Sequence, residues 1–367
     1  MADAAFQPDW FSKPGDTLCT LMVRRKLSPA MLAERMGRDV ALIHGLLAGA
    51  VDIDTRIAVL LANSVGGSPS FWKMRQRQFD NSLDRAARAL PADRLRSWLR
   101  TLPLNEMAKA GWIAASQEPG DDVRSSLSYF DVTGPDEWRE RYAAFENVFS
   151  FRSSPSFESK VGALSAWLRQ GEIHAAAIPC AAWDSDLFRA RLLDVRVLTK
   201  AKNPAYFIPK LRAICAEAGV AVAFVRAPSG CRASGATRFL ADAKAMIILS
   251  FRYMSDDQFW FTFFHEAGHL LLHSNKSTFV DGESADQTDK ELEANTFSAS
   301  VLIPRSREDA LMDLRPRSLD VIRFALSIGV SPGIVVGQMQ HLGLISSRQL
   351  NRLKRRYSWE QILCAVG

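Results

Sequence analysis

Phe261-Thr-Phe-Phe-His-Glu-Ala-Gly-His-Leu-Leu-Leu-His273 contains His265, Glu266 and His269 in the spacing His-Glu-x-x-His. On an α-helix, positions i and i+4 project from one side about 6 Å apart, so both imidazoles can reach a single zinc ion. Glu266 lies about 100° further round, beside the ion, where its carboxylate can take a proton from a water activated there. With only 6 His in 367 residues, chance yields on the order of 0.004 such matches per chain. The pattern points to metal-assisted peptide hydrolysis, with one zinc ion per chain and Glu266 as catalytic base.

The neighbours agree. On a helical wheel, Thr262, His265, Glu266, His269 and His273 fall in a sector roughly 100° wide. Trp260, Phe261, Phe264, Ala267, Gly268, Leu271 and Leu272 fill the opposite side. A surface helix would carry Lys, Arg and Glu on its polar face, whereas this one is apolar except where the metal would sit. Ser255-Asp-Asp-Gln258 just upstream has the spacing of a capping box, with Ser255 as N-cap.

Two histidines leave hydrolytic zinc one protein ligand short. His273 is eight residues beyond His265, about 12 Å along the axis. That suits a supporting or substrate-contacting role. Glu291 and Glu293 lie in Thr288-Asp-Lys-Glu-Leu-Glu-Ala-Asn-Thr-Phe-Ser-Ala-Ser-Val-Leu-Ile-Pro304. Thr288 and Glu291 have capping-box spacing, which gives Glu291 a structural task. Glu293 shares a side with Phe297, Ser300 and Val301, the large apolar positions expected to face inward, where a lone carboxylate needs a partner. This reading favours Glu293 over Glu291 or His273.

His265-Glu-Ala-Gly-His269, followed by Glu293-Ala-Asn-Thr-Phe297 and Ile303-Pro304, resembles the ImmA/IrrE zinc metallopeptidases. The similarity extends from about Glu158 to the end, through Gly-Cys-Arg-Ala-Ser-Gly235 and Leu-Lys-Arg-Arg-Tyr357. It implies a minimal thermolysin-like zinc endopeptidase of the cytoplasm that cleaves a repressor protein and so regulates gene expression. It carries over His265, His269 and Glu293 as ligands and Glu266 as base. Tyr253, Arg232 and His273 are candidates to stabilise the oxyanion or support the ligands.

Composition sets the frame. A hydrophobic share of 47% in 367 residues is enough for two or three cores. No run of 18 apolar residues occurs, and the first residues lack the basic start and apolar run of a signal peptide, so no membrane partner and a cytoplasmic location are expected. The five cysteines (Cys19, Cys180, Cys215, Cys231, Cys364) are scattered and without Cys-x-x-Cys, as reduced thiols would be. The net charge of +6 is uneven, with 10 basic and 5 acidic residues between 305 and 360 against 10 and 8 in the first eighty.

Toward the N-terminus, Ser28-Pro29 starts a helix, Gly37-Arg38 turns, Asp39 caps a second over Val40–Ala48, Gly49 ends it and Thr55 begins a third. Through Gly67-Ser-Pro-Ser-Phe-Trp72 this layout resembles the HigA-type antitoxins of the Xre class, which implies a helix-turn-helix, DNA as a partner and often a dimer. Only Arg38, Asp39 and His44 are suited to hydrogen-bond a base, because Val40, Ala41 and Gly45 fill the remaining reading positions. The rival reading is a DNA-binding regulator or antitoxin-like protein whose metal domain is a sensor or docking surface.

The expected whole is multidomain and mainly α, with an α+β catalytic domain. Residues 1–82 form the helix-turn-helix module and 83–157 a helical connector anchored by Trp98, Leu99, Trp112, Trp138 and Phe145. Residues 158–304 form the peptidase domain and 305–367 a C-terminal helical bundle. Helices are expected over Glu158–Arg169, Ser185–Leu193, Pro204–Glu217, Ser318–Ile328, Pro332–Gln340 and Ser347–Arg355. Val220–Val225 and Ala245–Leu249 read as strands of a small antiparallel sheet, with Gly235–Phe239 as an edge able to pair with an extended substrate.

Overall fold

The computed structural model describes residues 12–117, 120–142, 155–241, 243–273, 279–280 and 289–366. The chain divides into two compact units. The first comprises Met1–Asn147, Phe151–Ala177 and Pro228–Cys231, and the second Val148–Ser150, Ile178–Ala227 and Arg232–Gly367.

Among its described residues the first unit is helical. Short helices at Pro29–Met36, Val40–Ala48 and Thr55–Val65 begin where a side-chain oxygen accepts a first-turn N–H: Ser28 from Met31, Asp39 from Leu42, Asp54 from Ile57. The first two end at Gly37 and Gly49 with φ of +60° and +77°, a left-handed conformation that costs glycine little. Longer helices follow at Pro69–Ala89 and Ala92–Thr101, and another at Pro155–Ala176. Trp98, Phe130, Trp138 and Tyr142 form a buried aromatic cluster with ring centroids 5.9 to 6.1 Å apart, and Trp112 is buried while Leu99 is only partly so. Phe145 lies outside the described residues. The boundaries expected at 82 and 157 both fall inside continuous helices, so neither marks a break in the fold.

The second unit holds a four-stranded sheet in the order β1 (Val220–Phe224), β3 (Lys244–Leu249), β2 (Gly235–Ala241), β4 (Phe279–Val280). It is mixed rather than antiparallel: β1 pairs parallel with β3, while β2 runs antiparallel to β3 and to β4. The reason is topological. A tight hairpin from Ala241 to Lys244 inserts β3 between β1 and β2, so the chain leaves β1, crosses to the far side and returns up the middle. Nor is β2 an open edge along its whole length, because Ala236 and Thr237 pair with Val280 and Phe279. All five residues of β1 are buried, as expected of a strand covered on both faces.

Against the sheet lies helix Asp256–Leu272, which carries the motif, and beside it Asp289–Leu302, which carries the two glutamates. Ser255 is the N-cap, but no capping box forms: its hydroxyl donates to Asp257 at 2.7 Å instead of accepting a helix N–H. Helices Ser318–Ile328 and Pro332–His341 complete this layer, and Phe259, Trp260, Phe263, Phe264, Leu302, Val321, Ile334, Val335 and Met339 share one apolar core. The C-terminal segment is therefore no separate bundle. Its hydroxyl Ser331 donates to Asp256 at 2.7 Å, Arg355 N–H donates to the same carboxylate at 3.0 Å, and Lys354 pairs with Asp257 at 2.6 Å. Ser347–Arg355 is not a helix: Leu350 has φ of +60° and only a short 3-10 turn, Asn351–Leu353, forms. The Gln340 amide holds the carbonyls of Ser347 and Gln349 in this loop, and a last helix spans Trp359–Val366. Among the described residues no single helix is long and apolar enough to cross a membrane.

Candidate metal centre

His265 and His269 stand one turn apart on the motif helix, 3% and 0% exposed. Their Nε2 atoms lie 3.0 Å from each other, and the Glu291 carboxylate reaches both, 3.2 Å to His265 and 3.3 Å to His269. Ligand atoms in tetrahedral zinc sites, with bonds of roughly 2.0–2.1 Å, are about 3.3–3.4 Å apart. The separations here, with one Glu291 oxygen facing each ring, are close to that value, and the chemistry of two imidazoles and one carboxylate suits zinc.

Protonation follows from the second nitrogen of each ring. His265 Nδ1 lies 3.0 Å from the Asn295 carbonyl oxygen, so it carries the proton and leaves Nε2 with a lone pair. His269 Nδ1 is 3.1 Å from His273 Nδ1, and His273 Nε2 is 2.8 Å from Glu293. The consistent assignment is a relay in which His269 donates to His273 and His273 donates to Glu293. Burial lowers the His269 pKa, favouring the neutral ring that a metal ligand must be. Burial by itself would raise the Glu291 carboxyl, but the two imidazoles facing it outweigh burial and hold it at about 2, the ionised form in which a carboxylate binds a metal.

Glu293, expected as the third ligand, is therefore displaced by Glu291. The error lay in choosing the inward face of the second helix by residue size. Its buried stripe is Ala294, Ser298 and Leu302, which with Glu291 and Asn295 follow i, i+3, i+4, i+7, i+11 spacing. Small residues are there because the two helices nearly touch: a Cβ on Gly268 would sit 3.3 Å from the Ala294 Cα. Ser298 Oγ donates to the Phe261 carbonyl at 2.9 Å across the same seam. Asn295 was missed as a functional residue, although its i+4 relation to Glu291 was legible. Thr288, the cap expected to engage Glu291, lies outside the described residues.

Glu266 is fully buried at the start of β2, where a Cβ on Gly235 would meet its Oε1 at 2.6 Å and Thr262 at 2.7 Å. Only glycine lets the strand pass so close to this carboxylate. Tyr253 is exposed beneath the Arg252 guanidinium and Arg232 is an exposed residue whose carbonyl accepts from Arg252.

Residues 218–337 match the family model of the IrrE N-terminal-like domain. This is a metallopeptidase family, and the matched stretch runs from the start of β1 past both site-bearing helices. No curated protein and no solved structure matches the chain. Outside the IrrE N-terminal-like stretch, the three residues expected to touch DNA are dispersed in role. Arg38 is exposed, the Asp39 side chain is engaged as an N-cap, and His44 stacks on His174 with ring centroids 4.6 Å apart.

Proposed function

We propose that this chain is a zinc-dependent endopeptidase, with His265, His269 and Glu291 as metal ligands and Glu266 as catalytic base. The observation that carries the proposal is the convergence of those three donors at 3.0 to 3.3 Å one residue from a buried glutamate. Zinc bound there would polarise a substrate carbonyl and acidify water. Glu266 accepts a proton from the attacking water and returns it to the leaving amine as the carbon–nitrogen bond breaks. Gly235 fixes that carboxylate against the strand, while Asn295 and the His273–Glu293 pair hold both imidazoles in the ligand tautomer. The substrate class suggested by the ImmA/IrrE resemblance is a transcriptional repressor.

DNA recognition by the N-terminal helices has less support, because Asp39 and His44 are engaged within their own unit. The test compares parent and Glu266→Gln proteins, each loaded with one zinc equivalent, on candidate repressors and on peptides from a digested proteome, with fragments read by mass spectrometry. Fragments from the parent alone, at equal zinc content, are the expected result. Equal fragment yields from both proteins would reject the peptidase reading.

A further inference from the structure

One helical turn before His265 on the motif helix, the structure contains a cavity of about 150 Å³. Phe261, Leu302 and Ile334 give it apolar walls, and Gln258, Gln338 and His341 supply polar atoms. It adjoins the metal centre: the Phe261 ring is 6.3 Å from that of His265 and 6.5 Å from that of His341. Gln258 and His341 are exposed, so the mouth opens to solvent. Cofactor and drug-sized sites run from about 300 Å³ upward, so this volume suits a single side chain.

Gln338 is the unusual member. It is only 7% exposed, it lines the cavity, and its side-chain amide has no hydrogen-bond partner among the described residues. That amide is not among the buried unpaired polar atoms, so it reaches the solvent of the cavity, where a ligand's polar group can take the place of water. The neighbouring carboxylate, Asp257, is already paired with Lys354 at 2.6 Å, so the cavity offers no net charge to attract an ion. Alternate side chains of an extended peptide lie about 6.6 Å apart, and the Phe261 ring that walls the cavity is 6.3 Å from the His265 ring.

Resting on the peptidase reading above, we infer that this cavity is the subsite for one substrate side chain flanking the scissile bond, and that Gln338 is its specificity-determining residue. The fitting side chain has an apolar stem and a neutral hydrogen-bonding head, for which glutamine is the simplest match. A site built around a buried polar group discriminates against ligands that leave it unpaired.

The test profiles cleavage of a proteome-derived peptide library by zinc-loaded parent, Gln338→Leu and Gln338→Glu proteins. The parent should prefer glutamine at one position beside the cut. Gln338→Leu should shift that position alone toward leucine and methionine, with kcat/KM for the preferred peptide falling about tenfold to a hundredfold. Gln338→Glu should shift it toward lysine and arginine. Identical profiles for all three proteins, or a parent with no preference, would overturn the inference.

A binding arm separates this from failure of the peptidase reading. Gln-¹⁵N-labelled parent is titrated with N-acetyl amino-acid methylamides, and the Gln338 side-chain signals are assigned by their loss in Gln338→Leu. Saturable movement with the glutamine derivative supports the subsite even if no peptide is cut, in which case catalysis alone is refuted. No saturable movement with any derivative overturns the subsite even if cleavage is found.

Discussion

Glu291 and Glu293 are two positions apart on one helix, yet the first meets both ligand histidines and the second meets only His273. Their substitutions should differ accordingly. Glu291→Ala removes a ligand and should abolish stoichiometric zinc in chelator competition. Glu293→Ala should keep one zinc per chain with affinity or turnover lowered about 10- to 100-fold, the usual consequence of losing a partner behind a ligand. The reverse order would restore Glu293 as the ligand. His265, Glu266 and His269 were readable from sequence because their relation is local, set by 3.6 residues per turn. Glu291 was not, because its role depends on which stripe of its helix presses on another element, and large apolar residues such as Phe297 and Val301 suggested the wrong one.

Between elements, the distance between the two site-bearing helices is set by Gly268 against Ala294 and Phe297. A Cβ at Gly268 already approaches Phe297 to 3.1 Å, so Gly268→Val must push the helices apart. Overpacking of this kind typically costs about 1–3 kcal/mol. Here the displacement also draws Glu291 from the imidazoles, so zinc affinity should fall together with the denaturation midpoint. A destabilised variant with parental zinc affinity would show that the seam does not control the centre. Helices with clear caps, such as Val40–Ala48 and Pro204–Glu217, begin and end where their sequences predict. Less was legible where partners decide the outcome. Nothing in Phe279–Val280 announces a strand, and Ser347–Arg355 carries helical residues that Gln340 and Asp256 hold in a loop.

For the molecule as a whole, stability should depend on pH through Lys13, a residue with no signal in the sequence. Its side chain is 1% exposed and its ammonium has no hydrogen-bond partner among the described residues. Burial, and then the charge of Arg169, lowers its pKa to about 8 despite Asp16, Asp131 and Glu172. Because the folded value lies below the unfolded one, the unfolded chain holds more protons between about pH 8 and 10.5, and stability rises with pH across that window. Lys13→Met should flatten that rise and stabilise the first unit at pH 7 by up to about 3 kcal/mol. Thermal melts of parent and variant at pH 7, 8.5 and 10 provide the check, and parallel curves would reject it. The expected mainly helical, multidomain plan agrees with the helical content and small sheet, whereas its boundaries do not, because Pro69–Ala89 and Pro155–Ala176 run through them.

The hydroxyl of Ser331 and the backbone N–H of Arg355 both end on Asp256, the first residue of the helix that bears His265, Glu266 and His269. A growing polypeptide therefore exposes both imidazoles and Glu266 to the ribosome exit long before the groups that anchor their helix have been synthesised. Assembly of the centre in its final geometry waits until Ser331 and Arg355 have been synthesised, so a nascent chain that stops before them carries the ligands without the framework that aims them.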